Sequence, residues 1–164
     1  MLSGLFGGGR SKHNPTTMTK ELITPWRRIV LPAFGAPFSL RSIQNAAMMA
    51  AHSPDCDVRL IYILEIPRSF ALHSTMPDEE GHAQTVLADG VEEARRWRLD
   101  ATTEVLRVRH PVEGLAAYVD QNDIDLIILG ARPDEVRGLP RELMEELFER
   151  APCEIILDYI ANEQ

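Results

Sequence analysis

The stretch IVLPAFGAPFSLRSIQNAAMMAA, residues 29–51, decides the fold class of this chain. It begins as a short apolar run that ends at Pro32 and Gly35, which is typical of a buried strand. Ser39 then offers a hydroxyl that can cap a helix, and apolar residues at helical spacing follow it as far as Ala51. A buried strand followed directly by an amphipathic helix indicates a parallel sheet covered by helices.

The same alternation of apolar runs and amphipathic segments continues to the end of the chain. We predict further strands over 58–64, 102–108, 125–129 and 154–160, the fourth of the five strands ending at Gly130. We predict further helices over 78–98, from Pro111 onward, and over 140–150. The order therefore predicts an α/β fold with an open five-stranded parallel sheet and helices on both faces.

Length and charge narrow the classes of protein to consider. The chain has 164 residues and a formal net charge of −8, so we expect no nucleic-acid partner. No apolar run approaches the ~18–20 residues needed for membrane insertion. The two cysteines, Cys56 and Cys153, lie far apart, which fits a reducing, cytoplasmic location. We expect a flexible tail over 1–24 and one domain over 25–164.

Three segments carry a resemblance to a known family: RRIVLPAFG (27–35), NDIDLIILGAR (122–132) and ELFERAPCEIIL (146–157). In order and spacing they resemble the universal stress protein family. The resemblance implies a flavodoxin-like (Rossmann-like) sheet ordered 3-2-1-4-5. It also implies a homodimer formed through the last strand, with an interface that consists of Glu154, Ile155, Ile156, Leu157, Asp158 and Tyr159.

Nucleotide-binding members of that family carry Gly-x2-Gly-x9-Gly-Ser/Thr after the fourth strand, where glycine amides approach phosphates. In this chain Gly130 matches the first position, but the second falls on Pro133, which has no N–H. The last pair falls on Arg141 and Glu142, and the aspartate of the family's first strand falls on Phe34. The resemblance therefore implies that the usual mode of ATP binding is absent.

A different anion could still bind beyond the carboxyl ends of the strands, where open parallel sheets place their crevice. This alternative is an adenine-nucleotide switch that holds ATP or AMP between the loops of Phe34 and Gly130. The arginines near the Gly130 loop, Arg132, Arg137 and Arg141, could equally pair with neighbouring surface carboxylates. The candidate nucleotide- or anion-binding residues are Pro32, Phe34, Gly35, Gly130, Arg132, Arg137, Gly138 and Arg141.

The leading hypothesis is a non-catalytic regulatory or stress-response module that works as a homodimer without a cofactor. No histidine has zinc-ligand spacing, so we expect no metal, and no serine, cysteine or histidine lies in a recognisable nucleophile setting. An enzyme is therefore the third-ranked class. The segments at 65–68 and 77–80 resemble the universal-stress-like domains of amino-acid permeases. That resemblance implies a membrane transporter as the protein partner.

Overall fold

A computed structural model describes residues 26–132, 135–136 and 140–159 of the chain. The predicted tail at 1–24 lies outside these ranges, as do the candidate residues Arg137 and Gly138. Among the residues that the structure describes, no helix combines the length and the apolarity needed to cross a bilayer.

The five long strands and the four helices alternate along the chain, as the sequence predicts. The strands are β1 (Arg28–Ala33), β2 (Asp57–Glu65), β3 (Ala101–Val108), β4 (Leu126–Arg132), β5 (Glu135–Val136) and β6 (Glu154–Tyr159). The helices are α1 (Leu40–Ala51), α2 (Pro77–Arg96), α3 (Pro111–Gln121) and α4 (Arg141–Arg150). The first helix begins where predicted, because the Ser39 side chain accepts a hydrogen bond from the Ser42 amide.

The five long strands form one parallel sheet in the order β3-β2-β1-β4-β6. This confirms the predicted order 3-2-1-4-5, because β6 is the fifth of the long strands along the chain. The two-residue strand β5 pairs antiparallel with the end of β4 and was not predicted. It lies on the β1 side of β4, since β6 pairs with the opposite edge of the same residues.

Helices cover both faces of the sheet, which confirms the predicted layering. On one face Ile43 of α1 and Val86 of α2 pack in the same apolar cluster as Leu60. On the other face Leu115 of α3 and Leu147 of α4 pack in a second cluster. The central strands contribute side chains to both clusters, which explains why their sequences are almost wholly apolar.

The prediction that the fourth strand ends at Gly130 is wrong, because β4 continues to Arg132. Pairing of Ala131 and Arg132 with β5 and of Ala131 with β6 extends the strand past the glycine. A Cβ atom at Gly130 would lie 2.5 Å from the Cβ atom of Ser39. Glycine therefore serves here to let the start of α1 approach β4 closely, and it does not end the strand.

Candidate functional site

A cavity of about 610 Å³ lies at the carboxyl ends of the strands. The ends of β1 and β2 form its floor, and the first turns of α2, α3 and α4 form its walls. This is where an open parallel sheet places its ligand crevice. The residues that line it are Phe34, Gly35, Tyr62, Ile63, Leu64, Glu65, Asp78, Glu79, His82, Pro111, Pro140 and Leu143.

Three rings contribute to this crevice. Phe34 and Tyr62 are both buried, and the ring of His82 meets that of Tyr62 edge-on, with centroids 5.9 Å apart. Gly35 has a φ of +82°, which favours glycine, and its carbonyl oxygen lies 2.9 Å from Nε2 of His82. Because a carbonyl can only accept, Nε2 carries the proton, and this bond fixes the ring of His82 over the end of β1.

The hydroxyl of Tyr62 stands apart from the other polar groups of the crevice. Tyr62 is 5% exposed, and its hydroxyl has no hydrogen-bond partner among the described residues. Burial raises the pKa of this phenol, and the nearby Glu79 carboxylate raises that pKa further. The group is therefore a neutral hydroxyl that can donate one hydrogen bond and accept others.

Carboxylates dominate the charge of the crevice. Glu65 ends β2, and Asp78 and Glu79 lie in the first turn of α2, with all three side chains exposed to the cavity or to solvent. Among the described residues that line the crevice there is no lysine or arginine. The charged side chains that line the crevice therefore favour a positive or neutral ligand over an anion.

The predicted anion-binding residues divide between two places. Phe34 and Gly35 line the large crevice. Pro32 and Gly130 instead line a separate cavity of about 10 Å³ between β1, β4 and the start of α1. That volume holds about one water molecule, so the structure does not bring Gly130 and Phe34 together around one ligand.

The predicted arginines are also dispersed. Arg141 begins α4 and pairs with Glu145 at 3.2 Å on an exposed surface, one turn further along the same helix. The backbone of Arg132 pairs with Glu135 in the β4–β5 hairpin. Arg137 and Gly138 lie outside the described residues. Arg141 therefore forms a surface ion pair, which is the alternative to anion binding that the sequence also allowed.

Tyr62 and His82 line the crevice but are not among the site residues predicted from the sequence. Tyr62 comes near the end of β2, and the parallel register places it beside Ala33, one residue before Phe34. His82 reaches the same place from the second turn of α2. The available signal was the predicted strand order, because strands 1 and 2 are neighbours whose carboxyl ends meet at one edge of the sheet.

The predicted dimer residues lie on β6, at the end of the sheet. No strand among the described residues pairs with the edge of β6 that faces away from β4. Asp158 is 5% exposed and accepts a hydrogen bond from the Ser42 hydroxyl at 3.3 Å, and it pairs with the guanidinium of Arg41 at 3.1 Å. Leu157 remains 38% exposed.

The two cysteines are unpaired and partly buried. Burial raises the pKa of the Cys153 thiol to about 11, and the carboxylates of Asp125 and Glu154 act in the same direction. The pKa of Cys56 is also raised, chiefly by burial and then by Asp57. Both groups are therefore protonated thiols at neutral pH, and thiols are poor nucleophiles.

Comparison with known proteins identifies the family. The model of the universal stress protein family matches residues 25–157. The chain is similar to a solved universal stress protein from Archaeoglobus fulgidus, with 16% identity, a TM-score of 0.63, and coverage of 85% of this chain and 97% of that chain. A universal stress protein from the same organism in complex with dAMP gives 17% identity, a TM-score of 0.63 and coverage of 81% and 98%.

A further similar structure is a universal stress protein in complex with cAMP, with 16% identity, a TM-score of 0.59 and coverage of 83% of this chain and 98% of that chain. At these identities the likeness shows the shared fold alone. No curated protein matches the sequence significantly. Because the family model covers most of the chain, this chain belongs to the universal stress protein family.

Proposed function

We propose that the chain is a non-catalytic regulatory module of the stress-response type, and that it works as a homodimer joined through β6. The observation that supports this most is the edge of β6 that faces away from β4, with which no strand in the described ranges pairs. An unpaired edge presents backbone N–H and C=O groups that a second strand can satisfy. Two copies related by a two-fold axis would pair these edges with each other and close the assembly.

The side chains of β6 support a main-chain contact of this kind. Ile155 and Ile156 pack against the two apolar clusters on opposite faces of the sheet. Asp158 is held by Arg41 and Ser42 of α1, so its carboxylate has internal partners and anchors the strand. The exposed side chain of Leu157 is left to add apolar contact beside the paired backbones.

The proposal that the module is non-catalytic draws support from its potentially reactive groups. The raised pKa values of Cys56, Cys153 and Tyr62 keep these groups protonated near neutral pH. A catalytic nucleophile or base requires the opposite tuning or an adjacent activating base. The chemistry of these groups is that of packing and recognition.

A membrane transporter is the partner that we propose for the module, on the resemblance of the segments at 65–68 and 77–80. Guanidinium groups hold the loop between these segments in place. Arg109 donates to the carbonyl oxygens of Ile66, Pro67 and Phe70 at 3.1, 2.6 and 2.8 Å, respectively. The loop therefore presents the exposed ring of Phe70 on a fixed backbone, as a protein partner would require.

The second candidate is an adenine-nucleotide switch that would bind its ligand in the crevice at the carboxyl ends of β1 and β2. Its support is the ring of Phe34, the cavity volume of about 610 Å³, and the dAMP and cAMP complexes of structurally similar proteins. The carboxylates of Glu65, Asp78 and Glu79 oppose it, because they would repel phosphate groups. Calorimetric titration with ATP and AMP separates the candidates: micromolar affinity favours the switch, and no heat favours the partner-binding module.

Light scattering on purified protein at micromolar concentration tests the homodimer. We expect a mass twice the 18.4 kDa of the chain. Leu157→Lys places like charges near each other at the paired edges and should shift the protein to monomer, while Phe70→Lys, an equally drastic change on a distant exposed loop, should leave the mass unchanged. A wild-type monomer, or a dimer that Leu157→Lys does not weaken, would overturn the proposal.

A further inference from the structure

We propose that the crevice at the carboxyl ends of β1 and β2 binds an organic ammonium ion, that is, a molecule with an apolar or aromatic body and a positively charged nitrogen. This goes beyond the regulatory homodimer and does not depend on it, because the crevice and β6 lie apart in the fold. It also competes directly with the nucleotide switch, since the two ligands carry opposite charges.

The charge of the crevice is the first argument. Glu65 approaches from the sheet, and Asp78 and Glu79 approach from α2. Two of these carboxylates have an ordinary role as well, because acidic residues in the first turn stabilise a helix N-terminus by about 0.3–1 kcal/mol. That role does not account for Glu65, which lies at the end of a strand. A cation gains from all three, and a phosphate is repelled by all three.

The second, independent argument is the hydroxyl of Tyr62, which has no hydrogen-bond partner among the described residues. A buried hydroxyl without a hydrogen bond destabilises the folded chain by roughly 1–3 kcal/mol. Tyr62 is 5% exposed and lines the crevice, and its oxygen lies 3.9 Å from the Cβ position of Gly35 at the cavity floor. An ammonium N–H can donate to this oxygen, which would satisfy the group.

The rings supply the apolar part of the site. Phe34 and Tyr62 are buried at the floor, and His82 is fixed by its bond to the Gly35 carbonyl. Aromatic faces attract cations within about 6 Å of the ring centre. The cavity volume of about 610 Å³ suits a small organic molecule rather than a bare ion. Among the described residues there is no group of three side chains that could hold a metal ion.

Isothermal titration with a matched pair of probes tests the charge preference. Tryptamine carries an indole body and an ammonium group, and indole-3-propionate carries the same body and a carboxylate. We expect tryptamine to bind with a dissociation constant at least about tenfold lower than that of indole-3-propionate, and to weaken as salt is added. AMP, titrated alongside, should bind more weakly than tryptamine.

Three variants locate the binding. Glu79→Gln removes one crevice charge, and Tyr62→Phe removes only the hydroxyl. Each substitution should raise the dissociation constant of tryptamine about three- to tenfold. Glu92→Gln changes an exposed carboxylate elsewhere on α2 and should leave the affinity unchanged. Because the hydroxyl has no hydrogen bond to lose within the part of the chain that the structure describes, Tyr62→Phe should keep the melting temperature of the wild type or raise it.

Several results would overturn the proposal. Tighter binding of indole-3-propionate or AMP than of tryptamine would show that the crevice prefers anions. Binding of tryptamine that both crevice variants leave unchanged would place it elsewhere on the molecule. No detectable binding of tryptamine at millimolar concentration would show that the crevice does not recognise an ammonium ion. None of these three results bears on the homodimer, which light scattering tests separately.

Discussion

Single residues in this molecule show how much of the fold depends on close packing between a strand and a helix. Gly130 is the clearest case, because the space that a side chain would need is taken by Ser39, the N-cap of α1. Sequence similarity alone makes Gly130 a candidate for phosphate binding. Its contacts in the structure give it a packing role between β4 and α1.

Gly130→Ala tests that packing role. The added methyl group would meet the Cβ atom of Ser39 at 2.5 Å, so β4 and α1 must separate. We expect the free energy of unfolding in urea to fall by about 1–3 kcal/mol. Gly81→Ala is the matched control, since nothing lies within 4 Å of its Cβ position in α2. It should raise the free energy of unfolding by about 0.5–1 kcal/mol. An unchanged stability of Gly130→Ala would contradict this account.

At the scale of elements, the loop over 66–76 connects β2 to α2. Arginines from the end of β3 fasten it: Arg107 donates to the carbonyl oxygen of Leu72 at 2.9 Å and also to that of Ser74. Arg109 holds the first part of the loop through three further carbonyl oxygens. An otherwise irregular segment thus obtains partners for its backbone acceptors.

Arg109→Ala should loosen the first part of this loop. The change removes three hydrogen bonds to carbonyl oxygens, so the loop should open more often and trypsin should cleave after Arg68 about tenfold faster. Arg95→Ala, which truncates an exposed arginine in the last turn of α2, serves as the control and should leave that cleavage rate unchanged. Equal cleavage rates in the two variants would show that Arg109 does not hold the loop.

At the scale of the whole molecule, the strand–helix alternation was predictable because each element carries its own apolar period. Ser39 marks the start of α1, and the apolar runs mark the five long strands in their observed order. The site was less predictable because it depends on contacts between distant residues. The role of Tyr62 follows from its register beside Ala33, and the role of Arg141 is decided by Glu145.

The two-residue strand β5 was also beyond prediction from local pattern. Glu135 and Val136 are too few to show a period, and their pairing with Arg132 and Ala131 is a property of the folded hairpin. The resemblance to the universal stress proteins supplied the strand order and the dimer hypothesis. The chemistry of the crevice, with its carboxylates, came only from the structure.

Hydrogen–deuterium exchange measured by mass spectrometry over a range of protein concentrations tests the central claim, a homodimer joined through β6. We predict that amides in Glu154–Tyr159 exchange more slowly at high concentration than on dilution, because a second strand protects the free edge. Amides of β3, at the opposite edge of the sheet, should exchange at the same rate throughout. Exchange in β6 that does not depend on concentration, in a protein of monomeric mass, would contradict the account.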